Sequence, residues 1–188
     1  MLILMAIVCL LIGLGLLVWL SIVDLREWIL PNELVLGFAA CGIVFHLLTW
    51  GAIMTPMQML YGMLAGGGTL LAIRTIANYV YKRDTVGLGD VKLMFAGGLW
   101  LGPYYIMVGL AAGAFIGLII GLIFLALPHS HPEDIAPQEG DGLMQTSVPA
   151  GPGFCGGIAV AIIWMIHEWP NLFMAVDKLM TILMGLHL

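Results

Sequence analysis

The feature that most constrains this chain is its succession of apolar runs, because 62% of its 188 residues are hydrophobic and only 9% are charged. Soluble domains are typically about 45–50% apolar and about 25% charged. A helix of about 20 apolar residues is long enough to cross the hydrocarbon core of a bilayer. The sequence therefore predicts an all-α, polytopic membrane protein. Six transmembrane helices are expected over residues 2–23, 33–50, 57–81, 90–101, 104–127 and 154–169.

Two further stretches complete the chain. Residues 128–152 are polar and rich in proline, and we expect them to form a loop. Residues 171–188 are apolar except for one polar stripe, which favours a helix lying in the membrane interface. We therefore expect residues 1–188 to form a single membrane-embedded domain. In the fifth run, glycines at every fourth position predict close helix packing, and these are Gly109, Gly113, Gly117 and Gly121.

The basic residues indicate the orientation of the spans, since short cytoplasmic loops are enriched in Lys and Arg. In a six-span topology the basic residues of the short loops share one side, namely Arg26, Lys82, Arg83 and Lys92. This side is therefore expected to be cytoplasmic, together with the loop 128–152, and the N-terminus is expected outside. The same topology places Asp24 and Asp90 on the cytoplasmic side.

Asp90 is the residue most suggestive of chemistry, because it follows Gly87 and Gly89 and opens a long apolar run. Charged side chains within membrane segments are costly and are usually functional. The structural alternative is an ordinary helix cap, for which Asp is also a preferred residue. If the site is functional, Gly87 and Gly89 leave room for a substrate backbone to approach the carboxylate.

Asp24 and Asp90 at one membrane face suggest an acid–base pair. Two carboxylates a few ångströms apart cannot both ionise cheaply, so they share one proton. The ionised member can then take a proton from water while the protonated member donates to a peptide carbonyl. The predicted helix ends favour Asp90 as the base, because Asp90 opens a helix whereas Asp24 closes one.

Other chemistries find less support in the composition. Lys and Arg total only six and are dispersed, which argues against nucleic-acid binding. The three cysteines have no CxxC spacing, so neither a disulfide framework nor a zinc site is indicated. The acid–base scheme needs no nucleophilic side chain, and we expect neither a metal nor a cofactor.

Two segments together resemble the type IV prepilin peptidases, which are GxGD-class aspartic membrane peptidases. The first runs from Asp24-Leu25-Arg26 to Leu30-Pro31-Asn32, and the second is Gly87-x-Gly89-Asp90-x-Lys92-Leu93. A weaker likeness is Pro149-Ala150-Gly151-Pro152, where the family often has Pro-Phe-Gly-Pro. The resemblance extends from the first span to the sixth.

The resemblance implies an endopeptidase of the cell inner membrane. Such enzymes cut the short basic leader from pilin, pseudopilin or archaellin-like precursors at the cytoplasmic face. By the motif match, Asp24 and Asp90 are the catalytic pair, whereas Lys92 matches the motif but equally suits positive-inside anchoring. Pro31 and Asn32 are expected to shape the turn and cap the second span. Many family members also carry a cysteine-rich cytoplasmic domain and N-methylate the product, and we expect the short form without that domain.

Three alternatives remain open from the residues. A small proton-coupled transporter could use Asp24 and Asp90 as a relay, but it would predict polar residues deep within several spans. Presenilin-like proteases share a GxGD, yet they resemble one another in a Pro-Ala-Leu motif that is absent here. A non-catalytic assembly protein would not require either aspartate.

Overall fold

The computed structural model describes residues 2–27, 29–49, 53–82, 86–126 and 150–168, and the regular structure in these ranges is entirely α-helical. The helices are α1 (Leu2–Glu27), α2 (Asn32–Leu48), α3 (Pro56–Tyr81), α4 (Leu88–Ala126) and α5 (Gly151–Glu168). The prediction of an all-α protein is confirmed.

Four helices are long and apolar enough to cross a membrane, over Leu4–Glu27, Pro56–Tyr81, Leu88–Ile123 and Gly151–Glu168. Helix α2 is apolar but has only 17 residues. These helices define a multi-pass membrane protein, but the prediction of six spans is not confirmed. The expected interfacial helix at 171–188 lies outside the described residues, as does 128–149.

Helix α5 begins earlier than predicted. The sequence places residues 151 and 152 at the end of the loop 128–152, whereas the structure places both in the first turn of α5. Pro152 fits there because the backbone nitrogens of a first helical turn need no partner within the helix.

Helix α4 contains both the fourth and the fifth predicted runs, joined across a break. Its 39 residues are interrupted at Gly102, where φ is 63° and ψ is −177°. Glycine adopts a positive φ without steric cost, and the following Pro103 lacks a backbone N–H. The break divides α4 into a first arm, residues 88–101, and a second arm, residues 103–126.

The two arms fold back on each other at this break. A Cβ atom on Gly66 of α3 would lie 2.8 Å from the Met94 carbonyl oxygen and 2.5 Å from Ile106 Cγ1. In a straight helix, Met94 and Ile106 would be about 18 Å apart along the axis. Both can lie against Gly66 only because the chain reverses direction between them.

Glycines allow the arms of α4 to pack closely on their neighbours. On the first arm, a Cβ on Gly62 of α3 would overlap the carbonyl oxygen of Gly98. On the second arm, the glycines at every fourth position lie on the face that packs against the first half of α5, and these are Gly109, Gly113 and Gly117. Among the residues that the structure describes, none has an atom within 4 Å of a Cβ on Gly121, so the predicted packing is found at the first three glycines.

Trp100 joins α2 to the first arm of α4. Its indole Nε1 donates to the Phe38 carbonyl over 2.8 Å, and His46 Nε2 donates to the Trp100 carbonyl over 3.0 Å. A Cβ on Gly42 would lie 2.7 Å from the indole nitrogen, so α2 admits the ring only because residue 42 is glycine. The Trp100 ring also stacks on Phe38, with centroids 5.4 Å apart.

This packing places three helix ends together. Helix α1 packs against α2 and α5, while α4 packs against α3, α5 and α2. The C-terminal end of α1 consequently meets the N-terminal ends of α4 and α5. The break at Gly102 lies at the opposite end, where the Tyr105 hydroxyl donates to Glu168 Oε2 over 2.7 Å.

Candidate active site

Asp24 lies in the last turn of α1 and only 6% of it is exposed. Its carboxylate faces the start of α5, where the Gly151 backbone N–H donates to Asp24 Oδ2 over 3.1 Å. Helix α1 therefore extends beyond the predicted end at Val23. Asp24 is a helical residue held by a second helix, not a loop residue.

Asp90 is the third residue of α4 and is equally buried, with 6% exposed. A side chain at this position can reach back to the backbone N–H that precedes the helix. The Gly87 amide contacts the Asp90 carboxylate in this way, and a Cβ on Gly87 would lie 3.1 Å from Oδ2. Asp90 is therefore not the N-cap that the structural alternative makes it, although its carboxylate contacts the amide just before the helix.

Asp24 and Asp90 come together despite their distance in the sequence. The two carboxylates are close enough to interact electrostatically, and the Cys155 thiol in α5 interacts with both. Cys155 is only 3% exposed. Three helices therefore enclose one buried pair of carboxylates: α1 and α4 supply the acids, and α5 supplies the wall beside them.

The two motif glycines have different surroundings. Gly87 is exposed beside the Asp90 carboxylate, which suits the predicted approach of an extended backbone. Gly89 instead faces Leu30, and a Cβ on Gly89 would lie 3.0 Å from Leu30 Cβ. Its missing side chain lets the start of α4 pack against the segment that follows α1.

Lys92 does not face the aspartate pair. Its Nζ donates to Asn32 Oδ1 over 2.9 Å. Two helical residues rotate the side-chain direction by about 200°, so Lys92 lies across the helix from Asp90. Of the two residues predicted to cap the second span, Pro31 is at the N-cap of α2, without a side-chain hydrogen bond, whereas Asn32 is the first residue of the helix and not its cap.

The contribution of α5 is not predicted from the sequence. In the sequence, Gly151 belongs only to the weaker Pro-Ala-Gly-Pro likeness, and Cys155 is one of three cysteines without CxxC spacing. The one available signal is the glycine flanked by Ala150 and Pro152 at the start of an apolar run. Nothing in the local pattern indicates that its amide would bond to a residue of the first helix.

The contact with α5 also changes the argument from helix ends. Asp24 closes α1, but it accepts a hydrogen bond from the first turn of α5. Both acids therefore meet the positive end of a helix, which favours negative charge. Helix ends alone no longer single out Asp90 as the base.

The arrangement suits proton transfer between two carboxyl groups and a bound water. Within the described ranges, no group of three or more His, Cys, Asp and Glu side chains is placed to hold a metal ion. Two buried acids at helix ends, one beside an exposed glycine, can instead share a proton and act as acid and base.

The fold and the site together define a polytopic helical membrane protein with a buried aspartate pair at its helix ends. The chain belongs to the type IV leader peptidase family, whose profile matches residues 3–122. The matched region contains both Asp24 and Asp90.

Individual relatives support this assignment. The chain is 27% identical to a prepilin leader peptidase/N-methyltransferase of Legionella pneumophila over 157 residues, which cover 82% of this chain and 49% of that protein. It is 29% identical to the Aeromonas hydrophila protein of the same name over 159 residues, covering 81% and 49%. The chain thus spans about half the length of these curated relatives. No solved structure matches it significantly.

Proposed function

We propose that this chain is an aspartic endopeptidase that removes the short basic leader from type IV prepilin-like membrane proteins. Its substrates are pilin, pseudopilin or archaellin-like precursors, each with an apolar stem after the leader. The observation that carries the proposal is the meeting of Asp24 and Asp90 in a chain of the leader peptidase family. Of the two activities in the relatives' names, we propose the peptidase for this chain.

In the proposed reaction, Asp24 and Asp90 share one proton. The ionised carboxylate takes a proton from water as the water oxygen attacks the peptide carbonyl carbon. The protonated carboxyl donates its proton to the carbonyl oxygen, which gives a neutral tetrahedral intermediate. As the C–N bond breaks, the carboxyl that took the water proton gives it to the leaving nitrogen. One hydroxyl of the intermediate becomes the new C=O and returns its proton to the other carboxylate, so the pair again holds one proton on its original member.

The surroundings of the pair suit an extended substrate. A peptide bond within a helix is shielded, so the scissile segment has to be extended when it reaches the carboxylates. The exposed Gly87 beside Asp90 leaves room for such a segment. The apolar stem of the substrate then remains in the bilayer while its leader lies in the cytoplasm.

The proposed orientation places the aspartate pair at the cytoplasmic face of the inner membrane. Arg26 at the end of α1, Lys82 at the end of α3 and Lys92 at the start of α4 surround this end of the molecule. Positive charge at cytoplasmic ends supports the orientation. In the proposed topology α2 and the two arms of α4 each count as a span, which makes six.

Isosteric substitution of each acid tests the proposal. Asp24→Asn and Asp90→Asn keep the side-chain shape but remove the shared proton, and each should abolish processing of a co-expressed prepilin-like protein. Glu33→Gln is the matched control, because Glu33 is an exposed acid in the first turn of α2. We expect Glu33→Gln to process the substrate as wild type does.

The readout is the loss of the leader on a gel, together with melting of each purified variant in detergent. Processing by Asp24→Asn or Asp90→Asn at the wild-type rate would refute the two-aspartate mechanism. If the protein were a proton-coupled transporter, the wild type would not process the substrate. Neither the matched family nor the relatives above are named as transporters.

A further inference from the structure

The start of α5 makes a contact with the aspartate pair that the hydrolytic scheme does not use. The Gly151 N–H donates to Asp24 Oδ2 over 3.1 Å, across 127 positions of sequence. Gly151 is itself buried. This is a hydrogen bond from one helix start to the carboxylate at another helix end, inside the packed end of the bundle.

The contact depends on the absence of a side chain at position 151. A Cβ there would lie 2.5 Å from Asp24 Oδ2 and 2.7 Å from Asp24 Cγ. Real Cβ atoms do not approach oxygen so closely, so either the carboxylate or α5 would have to move. The bond therefore holds Asp24 at one place relative to Asp90, and only glycine permits it.

The contact also offsets an unfavourable electrostatic effect of the α1 dipole on the Asp24 carboxylate. Asp24 is at the C-terminal end of α1, where the helix dipole opposes a negative charge. A backbone N–H at the N-terminus of α5 offsets this effect, because charge-assisted hydrogen bonds are about twice as strong as neutral ones. The Asp90 carboxylate accepts a backbone hydrogen bond from Gly87. The Gly151 amide of α5 gives the Asp24 carboxylate the same kind of hydrogen bond.

We infer that Gly151 is a positioning residue of the aspartate pair, whose amide fixes the Asp24 carboxylate and favours its ionised form. The inference rests on the proposed function, since it concerns the same pair. Gly151 touches neither water nor substrate in this scheme. It acts through Asp24, and α5 becomes the third helix on which catalysis depends.

Gly151→Ala tests the inference, and Gly153→Ala is its matched control. Both glycines are buried in the first turn of α5, and a Cβ on either would meet an atom closer than 3.0 Å. The Cβ on Gly153 would meet Gly113 and Gly117 of α4, not Asp24. Both variants disturb packing, whereas only Gly151→Ala disturbs the carboxylate.

The measurement is kcat and KM for leader cleavage as a function of pH, with the full-length chain in detergent. For Gly151→Ala we expect kcat to fall at least tenfold at neutral pH with KM little changed. The acid limb of the profile should move to higher pH, because the ionised pair has lost a donor. For Gly153→Ala we expect a lower melting temperature and an unshifted acid limb.

An unshifted acid limb in a folded Gly151→Ala protein would overturn the inference. If that variant does not fold, the Gly151 amide can be observed in wild type by pairwise labelling with ¹³C-alanine and ¹⁵N-glycine, which selects the four Ala-Gly pairs of the chain. The resonance that is lost in Ala150→Ser, a change at an exposed residue, belongs to Gly151. Its resonance should titrate with the enzyme's acid limb, and the titration should vanish in Asp24→Asn. Absence of a titration would likewise overturn the inference, while active Asp24→Asn would instead refute the proposed function.

Discussion

Lys92 Nζ lies 2.9 Å from Asn32 Oδ1, so the two sequence motifs of this protein are joined by a direct hydrogen bond. One partner begins α2, just after the segment that follows Asp24, and the other lies near the start of α4, just after Asp90. The bond fixes the start of α4 relative to the start of α2. It explains a basic residue at position 92 without placing it among the reacting atoms.

Lys92→Met should therefore weaken the enzyme without abolishing it. An exposed hydrogen bond of this kind contributes about 1 kcal/mol, which corresponds to about a fivefold change in an equilibrium. We expect kcat/KM to fall by less than about tenfold. Lys82→Met is the control, because it also removes an exposed positive charge at this end of the bundle, and should have no effect on kcat/KM. Complete loss of activity in a folded Lys92→Met protein would mean that Lys92 contacts the substrate.

Trp100 should be a stability residue. Trp100→Phe removes the hydrogen bond to the Phe38 carbonyl and leaves a gap against Gly42, which together should cost about 1–3 kcal/mol. The control is Trp19→Phe, because Trp19 is 61% exposed on α1. We expect a lower melting temperature in detergent for Trp100→Phe alone, with normal activity for the folded fraction. An unchanged melting temperature would contradict the assigned role.

The sequence predicts the helical class, the location of the two acids at helix ends and the break at residues 102 and 103, because each of these depends on local chemistry. Apolar runs, glycines before an acid and a Gly-Pro pair are visible in the chain itself. The contacts of Gly151 with Asp24 and of His46 with Trp100 depend on which helices become neighbours. Local patterns do not encode that pairing, so the part played by α5 emerges only from the fold.

The pH dependence should reveal two ionisations. If Asp24 and Asp90 share one proton in the active state, activity requires one proton on the pair and is lost when the pair holds two or none. We therefore expect a bell-shaped profile of kcat/KM for a leader peptide whose own groups do not titrate in the range. The two limbs belong to the pair and not to either residue. A single ionisation across the active range would contradict the shared proton.

The crossing of α3 with the first arm of α4 should tolerate no added atom at Gly62. A Cβ there would overlap the Gly98 carbonyl and Gly102, both backbone groups that cannot move aside singly. At Gly68, on the same helix, no atom of the described residues beyond the local backbone lies within 4 Å of the Cβ position. Alanine favours a helix over glycine by about 1 kcal/mol, so Gly68→Ala should leave the melting temperature unchanged or raise it. Gly62→Ala should lower the melting temperature sharply or prevent the protein from accumulating in the membrane. The added Cβ would force α3 and the first arm of α4 apart, which costs more than the gain in helix propensity. Equal melting temperatures for the two variants would show that α3 and the first arm are not packed backbone to backbone.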